Sequence, residues 1–314
     1  MNTPAPGPGP APAPAAPHPL RDPAILAAVE AAASGHLGRP WRSRGFTSLD
    51  DRSSHPCGIL HGEGLSVFAK LSTVREQLAA EQDGLAFLRQ HAGIPTPASV
   101  GPGVVDVPGG SLLLSEALPE RLPATRQAPD WRSIGHVLAA VHQVHAPQFG
   151  LGQDNFFGPL RQDNRPAATW AEFYRERRLL PLLDAAISSG HLPAGLAIGL
   201  HRIAERLPDL CGPEPRPALL HGDAQQHNFI STAIGAVVID ACPYFGHPEI
   251  DLAQLGFFLP VPADVFAAYA ETAPIDPGFE SRRELWRLAT YLAVITVAPG
   301  RYLARLAAVI RQYS

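Results

Sequence analysis

The segment of this chain best suited to chemistry is His221-Gly222-Asp223-Ala224-Gln225-Gln226-His227-Asn228, followed by Val237-Val238-Ile239-Asp240. An Asp with an Asn five residues later, on a loop between strands, places a base beside a metal-binding amide oxygen. A second Asp at the end of an apolar strand adds another metal oxygen. Phosphoryl transfer asks for little more than this: a positioned acceptor hydroxyl, a base near it, and Mg2+ across the phosphates. Asp223 is then the expected base, and Asn228 and Asp240 the expected magnesium ligands. Two other readings stay open at this point. His221, Asp223 and His227 also form an H-x-D-x-x-x-H pattern, as in a metal-dependent hydrolase. A polar turn between two strands needs no chemistry at all.

Residues upstream weigh between these readings. Lys70 ends an apolar strand, and Glu81 falls three after Leu78 and four before Leu85, on the buried stripe of the next helix. A carboxylate there requires a partner, because an unpaired buried charge is costly. Lys70 is the natural one, and the pair would hold the lysine against the α- and β-phosphates of ATP. The plainer alternative is a snorkelling lysine and an unrelated exposed Glu. Protein kinases meet the same need with H-R-D-x-x-x-x-N and a later Asp-Phe-Gly. Gly222 stands here where those enzymes place the Arg that reads an activation-loop phosphate, which suits a kinase of small molecules. Gly45-Phe46-Thr47-Ser48 is either a turn whose Gly45, Thr47 and Ser48 face phosphates or an ordinary hairpin. Ser115 to Leu118 follows the last strand of this half, where Glu116 and Leu118 would meet adenine. Asp251 opens a helix and is expected to cap N–H groups or brace the Asp223 loop.

The elements around these residues divide the chain in two. Residues 1–19 are Pro/Ala/Gly repeat with almost nothing to bury, so they stand outside the fold as a disordered tail. Residues 20–118 read as a nucleotide-binding N-lobe. It comprises a helix from Pro23 to Ser34 capped by Asp22 and stopped at Gly35, short strands from Arg42 to Leu71, a helix from Val74 to Gln90, and strands at Ser99 to Val107 and Ser111 to Ser115. Residues 119–314 read as a catalytic and acceptor-binding C-lobe. Its helices span Trp131 to His145, Trp170 to Ile187 and Gly195 to Leu207, interrupted by a strand pair at Ala218 to Leu220 and Ala236 to Ile239. The expected fold class is α+β: a two-lobed protein-kinase-like fold with a small β-rich N-lobe and a larger, mainly helical C-lobe.

Composition limits the partners. A net charge of −4 without a basic run argues against nucleic acid. The apolar stretch near the C-terminus is broken by Pro299-Gly300, Arg301 and Arg305, which argues against a membrane span. Cys57, Cys211 and Cys242 are far apart in sequence and form no CxxC, as expected of reduced thiols in a cytoplasmic monomer or homodimer.

With these residues in place, the sequence from about Arg42 to Tyr313 resembles the fructosamine (ketosamine) kinase family, relatives of the aminoglycoside phosphotransferases. The pieces that carry the likeness are Val67-Phe68-Ala69-Lys70, Ala80-Glu81-Gln82-Asp83-Gly84-Leu85, Asp154-Asn155-Phe156-Phe157-Gly158, Trp170-Ala171-Glu172-Phe173-Tyr174, Leu220-His221-Gly222-Asp223 and Tyr244-Phe245-Gly246-His247. The resemblance implies ATP- and Mg2+-dependent phosphorylation of a sugar hydroxyl on a ketosamine or glycated amine. Asp223 would act as base, Asn228 and Asp240 as metal ligands, and Lys70 with Glu81 as the nucleotide pair. Three departures matter, and the first and third are expected to border the acceptor. Ala224-Gln225-Gln226-His227 replaces a Leu-Trp-x-Gly segment, Ala241 replaces a Pro, and Tyr291 to Tyr302 lacks an Asn-His-x-x-x-Phe-Gly-like stretch. Gln225, Gln226 and His227 are therefore expected to border the acceptor, favouring one more polar than simple fructosamines. Another small acceptor, such as an aminoglycoside or amino alcohol, and a nucleotide-binding pseudokinase are the remaining alternatives.

Overall fold

The computed structural model describes residues 18–50, 53 and 55–313; nearly all of the expected tail lies outside them. Asp22 caps helix α1 (Pro23–Leu37) by accepting from the N–H groups of Ala24 and Ile25. The expected stop at Gly35 is corrected to Gly38, whose φ of 65° supplies the left-handed turn that ends the helix.

Five strands follow: β1 (Ser43–Ser48), β2 (Cys57–Gly62), β3 (Leu65–Ser72), β4 (Ser99–Val107) and β5 (Gly110–Glu116). They form one antiparallel sheet in the order β1-β2-β3-β5-β4. Helix α2 (Arg75–Ala92) crosses between β3 and β4 and stops at left-handed Gly93. Leu20, Val29, Trp41, Leu60, Val67, Leu112 and Leu114 fill the core between this sheet and α1.

The remainder is mainly helical, beginning with α3 (Ala128–His142) and a small hairpin, β6 (Asn155–Phe157) with β7 (Leu160–Gln162). The helix expected from Trp170 is continuous in its path but contains a π turn. It runs as α4 (Trp170–Tyr174), the π turn Arg175–Leu179, and α5 (Leu180–Ser188). Pro181 lacks an N–H and would crowd the carbonyl one turn back, and the wider turn relieves that conflict. Helix α6 (Ala194–Leu210) follows. The last part holds β8 (Ala218–Leu219), β9 (Phe229–Thr232), β10 (Gly235–Val238) and β11 (Phe245–Gly246). After these come α7 (Glu249–Leu255), α8 (Ala263–Ala270), α9 (Phe279–Trp286), α10 (Leu288–Val297) and α11 (Leu303–Tyr313).

One expected pairing is corrected. The strands at residues 218 and 236 do not pair with each other: β8 pairs with β11, while β10 pairs with β9, which reasoning from the sequence missed. Trp170, Phe173 and Tyr174 are buried, with Trp170 stacked on both of the others. Their W-x-x-F-Y spacing thus packs the larger core, together with Leu200, Tyr244, Trp286 and Tyr291. Leu88 of α2 and Ile94 join this second core, so α2 ties the sheet to the helical half.

Candidate active site

The β9–β10 hairpin positions the central residues. Asn228 immediately precedes β9 and Ile239 follows β10, and the Ile239 N–H donates to the Asn228 carbonyl at 3.0 Å. Asp240 is therefore held beside the loop that carries Asp223. Asp240 adopts φ 54°, a backbone state that Asp tolerates better than bulkier residues. Gly222 adopts φ 86°, and a Cβ there would lie 2.1 Å from the Cys242 carbonyl oxygen. No side chain fits at Gly222, which explains physically why the Arg of protein kinases is missing.

Lys70 and Glu81 meet Asp240 inside the cleft. The Lys70 Nζ donates to Glu81 Oε2 at 2.7 Å and to Asp240 Oδ1 at 2.8 Å. Gly84 permits the approach: a Cβ on it would sit 2.7 Å from Pro243 Cδ, so any larger residue would push α2 away from the Asp240 segment. Burial alone would lower the Lys70 ammonium, but Asp240 and Glu81 outweigh it and hold it well above its ordinary value. Burial raises Glu81, whereas Lys70 outweighs desolvation at Asp240 and holds that carboxyl low. Asp240 is thus the charged oxygen donor of the group.

Asp223 is held from several sides. Asn228 Nδ2 donates to its carbonyl at 2.8 Å and to its Oδ2 at 2.9 Å, and Gln225 Nε2 donates to Oδ2 at 3.1 Å. Its Oδ1 is buried without a hydrogen-bond partner among the described residues. Burial, reinforced by the Asp240 charge, pushes the Asp223 carboxyl up to about 7 despite the two amide donors. A carboxyl raised in this way lies close to the range in which a group can exchange protons at neutral pH.

A second layer fixes the loop. Asp251 is fully buried and accepts from the backbone N–H of His221 at 2.7 Å and of Gly222 at 3.1 Å. His142 Nε2 donates to the same carboxylate at 3.1 Å, and His142 Nδ1 accepts from the Tyr269 hydroxyl at 2.8 Å. His142 is thus part of the brace, a role that reasoning from the sequence did not assign. The H-x-D-x-x-x-H reading does not assemble. His221 is fully buried with its Nδ1 accepting from the Asp223 N–H, while His227 is exposed. No group of three His, Cys, Asp or Glu among the described residues is arranged to hold a metal.

The residue pairs open onto a cleft of about 700 Å³ between the sheet and the helical half. Lys70, Leu78 and Glu81 line one side, and Asp223, Gln225, His227, Asn228 and Asp240 the floor. The expected phosphate turn is corrected. Gly45, Thr47 and Ser48 lie within β1, paired with His61, Ile59 and Gly58, and none lines the cleft. The segment after β1 reaches it instead, through Ser53 and His55. Glu116 ends β5 and Leu118 follows it; neither lines this part of the cleft, and the Glu116 and Ala117 N–H groups donate to Ala98 and Ser66. Gln226 is also corrected. It is buried, its Nε2 donates to the Leu259 carbonyl at 3.1 Å, and it lies off the cleft wall, bracing the loop.

The far wall was not foreseen. Phe156, Phe157, Phe258, Leu259, Val294 and Tyr302 form it, with Arg301 at its edge. It is largely apolar, whereas Gln225 and His227 add polar groups elsewhere in the same cleft.

An oxygen donor set suits Mg2+, which prefers carboxylate and carbonyl-type ligands. Asn228 spends its amide nitrogen on Asp223 and leaves Oδ1 without a hydrogen bond among the described residues, while Asp240 contributes an ionised carboxylate.

Comparison with known proteins agrees with this geometry. The fructosamine kinase family model matches residues 25–314. Mouse ketosamine-3-kinase is 26% identical over 297 residues, covering 85% of this chain and 90% of the mouse protein. A solved Thermobifida fusca protein, provisionally named a fructosamine-3-kinase, is 31% identical. It superposes with a TM-score of 0.78 over 91% of this chain and 98% of its own. An aminoglycoside phosphotransferase shares the fold at 14% identity, with a TM-score of 0.61 over 90% of this chain and 98% of that one.

Proposed function

The chain belongs to the fructosamine kinase family, and from that premise we propose that it transfers the γ-phosphoryl group of ATP to a hydroxyl of a ketosamine. The observation that carries the reading is the convergence of Lys70, Glu81 and Asp240 with Asp223 and Asn228 on one cleft.

Lys70 is assigned to the α- and β-phosphates, held there by Glu81 at 2.7 Å. Asn228 Oδ1 and the Asp240 carboxylate are the proposed magnesium ligands; when bound, the ion would neutralise charge that develops on the transferred group. Asp223 receives the proton of the acceptor hydroxyl, as its buried Oδ1 has no other partner among the described residues. Asn228 and Gln225 fix the orientation of that carboxylate, and Asp251 holds the backbone that presents it. Prepositioning of this kind lowers the barrier without covalent catalysis. Three free cysteines and an ATP-consuming reaction support a cytoplasmic location; no helix among the described residues is long and apolar enough to cross a membrane.

The test is ADP release with Mg-ATP and a synthetic fructosamine, with the product followed by phosphorus NMR. A new phosphomonoester on the sugar is expected. Turnover of aminoglycosides or amino alcohols in place of every ketosamine would overturn the assignment of acceptor.

A further inference from the structure

The turn between α10 and α11 carries an unusual combination of features. Asp240 and Tyr302 are the two non-glycine residues with positive φ among the described residues, and both line the cleft. Asp accepts that conformation at small cost, but for a ring-bearing residue it is a genuine outlier, and such strain gathers at functional sites. At Tyr302 the φ of 60° follows a left-handed Gly300. The Tyr302 ring pays this back by packing 5.2 Å from Phe257 and 5.7 Å from Tyr291, centroid to centroid. The turn is thus pinned to the helical core while its preceding residue, Arg301, stands at the cleft edge.

Arg301 has a distinctive electrostatic position. Among the described residues, Lys70 and Arg301 are the two Lys or Arg side chains lining the cleft, and Lys70 is committed to Glu81 and Asp240. Arg301 makes no ion pair or hydrogen bond among the described residues; its guanidinium lies over the adjoining ring, 5.3 Å from the Tyr302 centroid. Among the described residues the cleft's carboxylates are Glu81, Asp223 and Asp240, grouped around Lys70 and Asn228, and the other lining residues near Phe258, Leu259, Val294 and Tyr302 include no Asp or Glu. Leu259 and Val297 on that wall remain 50% and 55% exposed, leaving apolar surface for a ligand to cover.

We infer that Arg301 is a specificity residue that pairs with a carboxylate of the acceptor, and that the preferred acceptor is the ketosamine of a free apolar amino acid. This rests on the ketosamine kinase reading above. A guanidinium matches a carboxylate with two parallel hydrogen bonds, and the apolar wall beside it would take the amino-acid side chain. A ketosamine formed on a protein amino group lacks a carboxylate at that position.

Three synthetic acceptors that share one isobutyl side chain decide the matter: the fructose adducts of leucine, leucinamide and 3-methylbutylamine. Wild type is expected to favour the leucine adduct over the other two by roughly 10-fold or more in kcat/KM, the worth of a charged hydrogen bond. The preference should reside in KM for the acceptor. In Arg301→Gln the ratio between leucine and leucinamide adducts should collapse toward one, and Arg301→Lys should keep part of it. A thermal melt of each variant reports folding. Equal use of all three adducts by wild type would sink this inference alone, as would a ratio that survives in Arg301→Gln. A loss that appears in KM for ATP would place Arg301 on the nucleotide instead and equally overturn it. Turnover of none of the three would sink both this inference and the ketosamine reading.

Discussion

The two sides of the cleft are built on opposite principles. On the phosphate side, Lys70 is buried and pinned between Glu81 and Asp240 by contacts of 2.7 and 2.8 Å. Lys70, Glu81 and Asp240 are paired with one another there, and they come from β3, α2 and the end of the β9–β10 hairpin. On the proposed acceptor side the wall is apolar and partly exposed, and it comes from a small hairpin, the segment after α7, helix α10 and the turn that follows it. Phosphoryl transfer needs fixed charges whatever the acceptor, so its machinery sits on rigid elements. Choice of acceptor needs a replaceable surface, and loops on a rigid scaffold provide one.

The contrast breaks first at Asp223. Asp223→Asn should lower kcat by about 100-fold or more, the usual worth of general-base help, while Mg-ATP binding persists. Steady-state kinetics paired with ATP titration measures both. A kcat near that of the wild type would remove Asp223 from the role of base and leave the phosphate side merely a binding site.

Asp240→Ala should come next in size. It removes one proposed magnesium ligand and one of the two carboxylates that hold Lys70. The remaining pair with Glu81 keeps the lysine charged, so the protein should fold while magnesium-dependent nucleotide affinity drops by about 10-fold or more. Calorimetry with ATP, with and without Mg2+, reads this directly; unchanged affinity in both would refute the metal role.

What could be read from the sequence follows the same division. Lys70 at a strand end, Glu81 on a buried helical stripe, and Asp223, Asn228 and Asp240 around a hairpin are all set by local periodicity and short spacings. The far wall of the cleft draws on residues near 156, 258, 294 and 301, which no spacing links; only the chain's path through two hairpins and a helical core brings them together. Gly45, Thr47 and Ser48 were misplaced because one glycine in a run of small polar residues looks alike in a strand and in a turn. β1 continues through them by pairing with β2. Gln226 looked like a substrate group because amides serve equally to bind ligands and to satisfy buried carbonyls. Its burial, which depends on the distant Leu259 segment, decided between the two.

Gln226 therefore offers a smaller test of whether the acceptor side is independent of the loop. Gln226→Ala removes hydrogen bonds to the Leu259 and Pro260 carbonyls. The net loss should be about 1 kcal/mol of stability. Because the residue touches the loop and not the cleft, kcat/KM should fall by one common factor, a few-fold, across every acceptor. A panel of hydroxyl acceptors beside a denaturant titration checks it. Selective loss on one acceptor would restore Gln226 to the substrate site.

The smallest effect is expected at Gln225, and it is visible only in a pH profile. The Asp223 carboxyl lies at about 7 because burial and the Asp240 charge raise it further than the Gln225 and Asn228 amides lower it. A base must be deprotonated to accept a proton, so kcat/KM should rise with pH through that range and level off above it. Gln225 Nε2 donates to the ionised oxygen at 3.1 Å and so favours the charged form. Removing it in Gln225→Ala should move the acid limb to higher pH, by about half a unit if the bond is worth about 0.7 kcal/mol. Stability runs the opposite way with pH. A carboxyl raised above its unfolded value binds its proton more tightly in the native state, so its contribution falls as pH climbs from about 4 to about 7. The variant, with the carboxyl raised further, should lose slightly more over that interval. Rate profiles and melts taken on the same buffer series would test both together. An acid limb that moved downward would show that Gln225 holds the protonated form of Asp223.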